Sequence, residues 1–295
     1  MPELPDVVLY IDALQRRIVG QRLERLSLSS PFVLRSVEPG IDSIVKETVT
    51  GIRRSGKRIV LQFDPDVFLA MHLMIAGRLR WREPGEKPRI APRALLATFE
   101  MSNGTLLFTE AASHKRASIQ LLRGETAFRA LDRGGIEPLE ATPEAFHEAL
   151  TRENHTLKRA LTDPRMFSGI GNAYSDEILH AARLSPLKQT RAVTEAERGR
   201  LYHATRDTLQ RWIDRLRAEL SGRFPEKVTA FHDQMAVHGR FRLPCPDCGT
   251  PVQRIVYASN ECNYCARCQT GGRLLADRSL SRLLREDWPR SIDEL

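Results

Sequence analysis

All five cysteines of this 295-residue chain lie between positions 245 and 268. Cys245 and Cys248 form one CxxC pair, and Cys265 and Cys268 form a second after sixteen intervening residues. A spacing of C-x2-C-x16-C-x2-C fits a four-thiolate zinc site, because two knuckles let four sulfurs surround Zn²⁺ as a tetrahedron. Pro244 and Gly249 bracket the first knuckle, as tight turns require. Cys262 is the spare; it can stand in for Cys265, but Cys265 keeps the paired geometry. Buried free thiols or a redox pair would be the plainer reading, and two well-spaced CxxC units disfavour both. Four cysteine ligands leave no open coordination position, so one structural Zn²⁺ is expected in a β-hairpin over roughly 240–270. No disulfide drawn from that cluster could staple the rest of the chain, which must build its own core.

The hydrophobic share of 41% and the length suffice for such a core, and suggest about two domains. No apolar run approaches the ~20 residues of a membrane span. The opening MPELPDVVLYID lacks the basic flank of a secretory signal, so the expected location is the cytoplasm. The formal charge is +8, and residues 51–100 hold ten basic against five acidic residues, +5 of that total. A regional excess of cations suits a polyanion-binding face better than general solubility.

Apolar spacing at Val7, Val8, Ile11, Leu14 and Ile18 predicts a helix over the first twenty residues, with Asp6 in its first turn. From about 21 to 125, short alternating stretches separated by DPD, EPGEK and NG predict an antiparallel β-sandwich or barrel. GGIEPL at 134–139 reads as a linker, followed by Thr142 and Pro143 as N-cap and first residue of a helix. Helices are expected from there to about 222, with a break at DPRMFSGIGN. Leu274, Leu275, Leu280, Leu283 and Leu284 are spaced for a short terminal helix that packs back. The fold class is therefore α+β and multidomain. The expected domains are a β-sandwich over 1–133, a helical domain over 134–236, the zinc finger over 237–270 and a helical tail over 271–295.

PELPDV at 2–7, SGKR at 55–58, HLMIAG at 72–77, SGIGNAYSDEIL at 168–179, HGR at 238–240 and the cysteine knuckles follow one another in this order. The order resembles the formamidopyrimidine-DNA glycosylase / endonuclease VIII family of base-excision repair enzymes, over about residues 2–270. Leu4 resembles the formamidopyrimidine branch. The resemblance implies a monomer acting on damaged DNA as glycosylase and abasic-site lyase, with a helix-two-turn-helix over 156–184. It makes Pro2 the nucleophile once Met1 is removed, and a neutral secondary amine is chemically suited to that attack. Glu3 matches the family's acid/base carboxylate, with Asp6 one methylene shorter than the usual Glu. Lys57 matches the lysine that contacts the phosphate beside the lesion. Lys158 and Asn172 match DNA contacts, although a solvated helix lysine is an equal alternative for Lys158. Without the resemblance, Pro2 would pass for an inert terminus and Glu3 for a helix N-terminal charge.

Three departures stand out. The family's void-filling Met follows HLG, where this chain has His72-Leu73-Met74-Ile75. The loop that would carry Arg and Phe wedges reads Glu110 to Ser118, leaving Arg116 as its candidate DNA contact and no Phe. Flipping a base costs a few kcal/mol, least in damaged or single-stranded DNA, so abasic or less-stacked substrates are expected to be favoured. Asn260 stands where the hairpin's phosphate-gripping Arg should lie, and RIAPRALL replaces the usual basic and His residues, leaving Arg89 or Arg93 to take over. The rival readings are a non-catalytic or lyase-only DNA-binding protein on the same scaffold and a zinc-ribbon RNA-binding module; the second gives PELP no role.

Overall fold

The computed structural model describes all residues except 65, 87–89, 227, 229–231, 258–259, 277–282, 284–288 and 295. The chain divides by its internal contacts into two compact units. One comprises Met1–Arg133 with Trp212–Thr229, the other Gly134–Arg211 with Ala230–Leu295.

The first unit opens with α1 (Leu4–Ile18), which carries Pro5 in its first turn, where the missing N–H costs nothing. Val7, Tyr10, Leu14 and Ile18 recur every three or four residues and are fully buried. They face two antiparallel four-stranded sheets. The first runs β1 (Leu23–Leu28), β6 (Leu95–Met101), β7 (Gly104–Glu110), β5 (Gly77–Arg82). The second runs β2 (Gly51–Ser55), β3 (Arg58–Asp64), β4 (Val67–His72), β8 (Ser118–Arg123). β5 alternates buried and half-buried positions residue by residue, with Leu79 and Trp81 turned into the core. β4 is buried from Val67 through Met71, so it shows no alternation and reads as a continuous apolar run. Removing one such core side chain, as in Leu69→Ala, would cost about 2–5 kcal/mol. Gly77 starts β5 where a Cβ would lie 2.3 Å from the Leu73 carbonyl oxygen, so only glycine lets the β4–β5 turn close.

In the second unit, α3 (Pro143–Thr151) begins at Thr142, whose hydroxyl accepts from the Ala145 N–H at 3.2 Å. Next come α4 (Leu157–Thr162) and α5 (Asn172–Ala181), joined by turns over 163–171 that give the expected pair of helices. The long α6 (Glu195–Leu220) starts here and ends in the first unit. GGIEPL is more than the linker its composition suggests. Ile136 pairs with Phe167, Ser168 donates its hydroxyl to Glu137 at 2.7 Å, and a Cβ on Gly135 would lie 2.5 Å from the Pro164 carbonyl oxygen. The segment is thus a strand-like partner of the inter-helix turn.

The C-terminal hairpin is β9 (Gln253–Tyr257) paired with β10 (Asn260–Tyr264), followed by α7 (Ala266–Thr270). Leu274 and Leu275 do pack back, beside Ile255 and Tyr264, but they are not helical; the Leu275 N–H donates to the Tyr264 hydroxyl at 2.8 Å. Leu283 is 77% exposed, and Leu280 and Leu284 lie outside the described residues.

Candidate active site and DNA-binding surface

In the first unit the amino-terminal residues enter α1 from within the protein, with Pro2, Glu3 and Asp6 all buried. The Asp6 carboxyl accepts from the Glu3 backbone N–H at 2.8 Å, which ties the two acids together across the first turn. Burial, with Glu3 adding to it, pushes the Asp6 carboxyl up to about 7, so at neutral pH it carries a proton about half the time. Burial also lowers the amino-terminal ammonium of Met1 below its ordinary value. Arg78 and Lys57 push the same way, against Glu3 and Asp6. A buried amine among two acids and two cations is one whose neutral, nucleophilic form is favoured.

Lys57 occupies the β2–β3 turn beside Gly56, whose φ of +58° is the left-handed region glycine favours. Next to it, Arg58 pairs with His72 across β3 and β4. Burial, then Arg58 and Lys57, push the His72 imidazole down to about 4, leaving it neutral. A neutral ring can accept, and Nδ1 takes the Met74 N–H at 3.0 Å. Met74 itself is held at φ +51°, uncommon for a side chain of its size. Ile75 follows it and is 60% exposed at the apex of the turn. Arg78 braces the turn by donating to the Ile75 and Gly77 carbonyls at 3.1 and 2.7 Å.

Arg116 is exposed in the loop after β7. That loop is tied down by a group the sequence reading overlooked, the buried Glu110. Its carboxylate accepts from the Arg116 and Ala117 N–H groups at 2.9 and 3.0 Å. Arg93 sits in the short turn ahead of β6, and Arg89 lies outside the described residues.

In the second unit Lys158 is not a solvated helix lysine, since its side chain is only 12% exposed. Its ammonium donates to the Asn172 carbonyl at 2.7 Å and to the Asp176 carboxylate at 2.5 Å. Asn172 opens α5, and its side-chain amide donates to the Glu261 carbonyl of β10 at 2.8 Å. The start of α5, where the helix dipole favours anions, is thereby tied to the hairpin. Asn260 begins β10, paired with Tyr257; its side chain lies outside the described residues.

Two acids on α5, also missed, fasten the C-terminal segment. Glu177 accepts from the successive N–H groups of Ala236, Val237 and His238 at 2.7, 2.9 and 2.9 Å. Asp176 receives His238 Nδ1 at 2.8 Å and the Asn263 N–H at 3.1 Å. The consecutive acids in SDEIL were the available signal, because acids on the buried side of a helix must meet donors.

Cys245, Cys248, Cys265 and Cys268 converge, all four sulfurs lying within 4.8 Å of one another. The separations are 3.4 Å for Cys248–Cys265 and 3.9 Å for Cys245–Cys268. A thiolate tetrahedron at ~2.3 Å from its metal has edges of about 3.8 Å, so the four residues fit a metal ion. His180 Nε2 lies 3.3 Å from Cys245 Sγ, against the rim of this cluster. Cys262 takes no part: it is buried away from the four clustered sulfurs, and burial, with the Asp176 carboxylate adding to it, raises its thiol above the ordinary value.

Among the described residues, no helix is long and apolar enough to cross a membrane. Residues 1–117 match the model of the formamidopyrimidine-DNA glycosylase N-terminal domain, and residues 135–221 that of the family's H2TH domain. The formamidopyrimidine-DNA glycosylase of Symbiobacterium thermophilum is 33% identical over 91% of this chain and 89% of its own length. That of Thermus thermophilus is 33% identical over 92% of this chain and 100% of its own. The crystal structure of Lactococcus lactis FPG in complex with a Fapy-dG containing DNA is similar at a TM-score of 0.80 and 25% identity, covering 91% of this chain and 100% of that one. The chain belongs to the formamidopyrimidine-DNA glycosylase family, the DNA glycosylases of base-excision repair that also act as abasic-site lyases.

Proposed function

We propose that this chain excises damaged bases in the cytoplasm by attack of the Pro2 amine, freed by removal of Met1, on C1′ of the damaged nucleotide. The base departs with its bonding electrons and takes a proton. The sugar ring then opens, the C1′–O4′ bond breaking onto the protonated ring oxygen, and leaves an iminium at Pro2. The iminium withdraws electrons, so that loss of a C2′ proton expels the 3′ phosphate by β-elimination and loss of the C4′ proton expels the 5′ phosphate by δ-elimination. Glu3 serves as the acid/base carboxylate that protonates the sugar ring oxygen. Lys57 and Arg116 contact the DNA of the first unit, and Lys158, Asn172 and Asn260 that of the second. Cys245, Cys248, Cys265 and Cys268 hold one structural Zn²⁺, which supplies no chemistry to the reaction and fixes the hairpin.

The observation that carries this reading is the buried amino terminus, lowered by desolvation and flanked by Glu3, Asp6, Arg78 and Lys57. Pro2 inherits that setting when Met1 is removed. The exposed Ile75, on a turn braced from both sides, is the apolar side chain we assign to fill the space of the flipped base. With no Phe beside it, excision from stacked duplex is expected to be slower than cleavage at abasic sites.

Borohydride trapping on abasic-site DNA tests the nucleophile. The mature chain is expected to form a covalent adduct, and Pro2→Gly to lose it. An adduct of equal yield in Pro2→Gly would sink the assignment, and no adduct in either would favour the non-catalytic DNA-binding alternative.

A further inference from the structure

Lys158 poses an electrostatic problem. Its ammonium lies at the start of α5, where the helix dipole is positive, with a side chain that is only 12% exposed. A cation so placed is both repelled and desolvated, and the neutral Asn172 carbonyl is a weak counterweight. Asp176 supplies the missing charge. Its carboxylate is fully buried. Burial alone would raise it, but Lys158 and His238 outweigh burial and hold it below its ordinary value, so it stays ionised. The same carboxylate receives His238, from the segment leading into the first cysteine knuckle, and Asn263, from β10. An ammonium has three donors. Two go to Asn172 and Asp176, which leaves one N–H.

We propose that Asp176 is a positioning residue for DNA-phosphate binding: it holds the Lys158 ammonium in place at the start of α5, with one N–H left for a phosphate oxygen, and locks the metal-binding hairpin to the same anchor. The inference rests on the reading of Lys158 as a DNA contact. Lys158, Asn172 and the hairpin then meet the DNA backbone as one preset arrangement, and no side chain has to be ordered at the moment of binding.

The test is a salt titration of binding to a duplex carrying a tetrahydrofuran abasic analogue, using the full chain as wild type, Asp176→Asn, Lys158→Met and the double variant. One phosphate contact contributes about 0.9 to the slope of log K against log salt concentration. Lys158→Met is expected to lower the slope by that amount. Asp176→Asn is expected to lower it equally and weaken binding by roughly tenfold or more. The double variant should lose nothing further, with zinc content unchanged in all four. Additive losses in the double variant, or a wild-type slope in Asp176→Asn, would overturn the proposal while leaving Lys158 as a contact. An unchanged slope in Lys158→Met would remove the reading beneath it and the proposal together. Should Asp176→Asn fail to fold, the unsubstituted chain still decides the matter by NMR of its lysine ammonium groups. The Lys158 signal, assigned by its loss in Lys158→Arg, is expected to be ordered and to shift on adding the duplex. A signal as mobile as that of an exposed lysine overturns the proposal.

Discussion

Asp6 near the start of α1 and Asp176 in α5 are almost equally hidden, at 2% and 1% exposure, yet their carboxyls are pushed in opposite directions. Asp6 has another acid beside it and a single backbone N–H as its bonded donor, so desolvation wins and its carboxyl rises to about 7. Asp176 meets a lysine, a histidine and a backbone amide, and their pull overcomes the same desolvation. Burial sets the cost of a charge, and the partners decide whether the charge is kept. In the first unit the outcome is a carboxyl that titrates near neutrality next to the proposed nucleophile. In the second it is a permanent anion that fastens a cation.

The broadest effect expected in the second unit comes from its four-cysteine cluster, the proposed zinc site. Cys265→Ser should release the metal and abolish tight DNA binding, because metal binding and folding of such a finger are one free energy. Cys262→Ser should retain full metal, since that thiol lies outside the four-cysteine cluster. Metal analysis of both variants settles the ligand set, and metal loss in Cys262→Ser would contradict it. Next in size, Asp176→Ala leaves Lys158 buried without its counter-charge and should cost about 3–5 kcal/mol in denaturant unfolding. Asp6→Ala, compared at pH 4 where the Asp6 carboxyl is protonated in the fold, removes only a terminal helix bond, worth about 0.5–2 kcal/mol. Equal costs would break the contrast between the two aspartates.

pH dependence sharpens it further. Asp6 has a folded value raised to about 7, so its stabilising contribution is complete below the ordinary carboxylate value of ~3.9 and is lost as pH rises toward 7. Asp176 is depressed, so its contribution is complete above ~3.9 and lost only as pH falls below it. Asp6→Asn should therefore gain on wild type by up to about 1.4 kcal/mol per pH unit across that window. A constant difference between the two unfolding profiles from pH 4 to 7 would show that Asp6 titrates normally. The smallest effect is expected at Ile75. Ile75→Ala should slow base excision from duplex several-fold while sparing cleavage of preformed abasic sites, as parallel single-turnover assays would reveal.

The helical face of α1, the antiparallel strands, the Thr142 cap and the convergence of four cysteines were all legible in the chain, because each depends on residues close together in sequence or on a fixed spacing. GGIEPL starts at the boundary between the two units, as its loop composition suggests, but its bridge to Phe167, some thirty residues on, was not legible. Leu274 and Leu275 misled in another way. Their helical spacing is real, but Leu274 and Leu275 bury against Ile255 and Tyr264 without forming a helix turn. Lys158 could be placed on a helix but not assigned a state, since solvated and anchored lysines look alike until the opposing residue is known.

The sequence by itself determined which residue types are available to the chemistry: a proline and an acid at the amino terminus, basic residues in the β2–β3 turn, and four thiols at metal spacing. Only the tertiary structure decided what those groups are. It set the amino terminus among four charged groups, pushed the Asp6 and Asp176 carboxyls in opposite directions, and left the fifth cysteine buried outside the four-cysteine cluster. The reason is physical. Spacing along a chain fixes which side chains share a face, whereas desolvation and Coulomb interactions depend on distance through space.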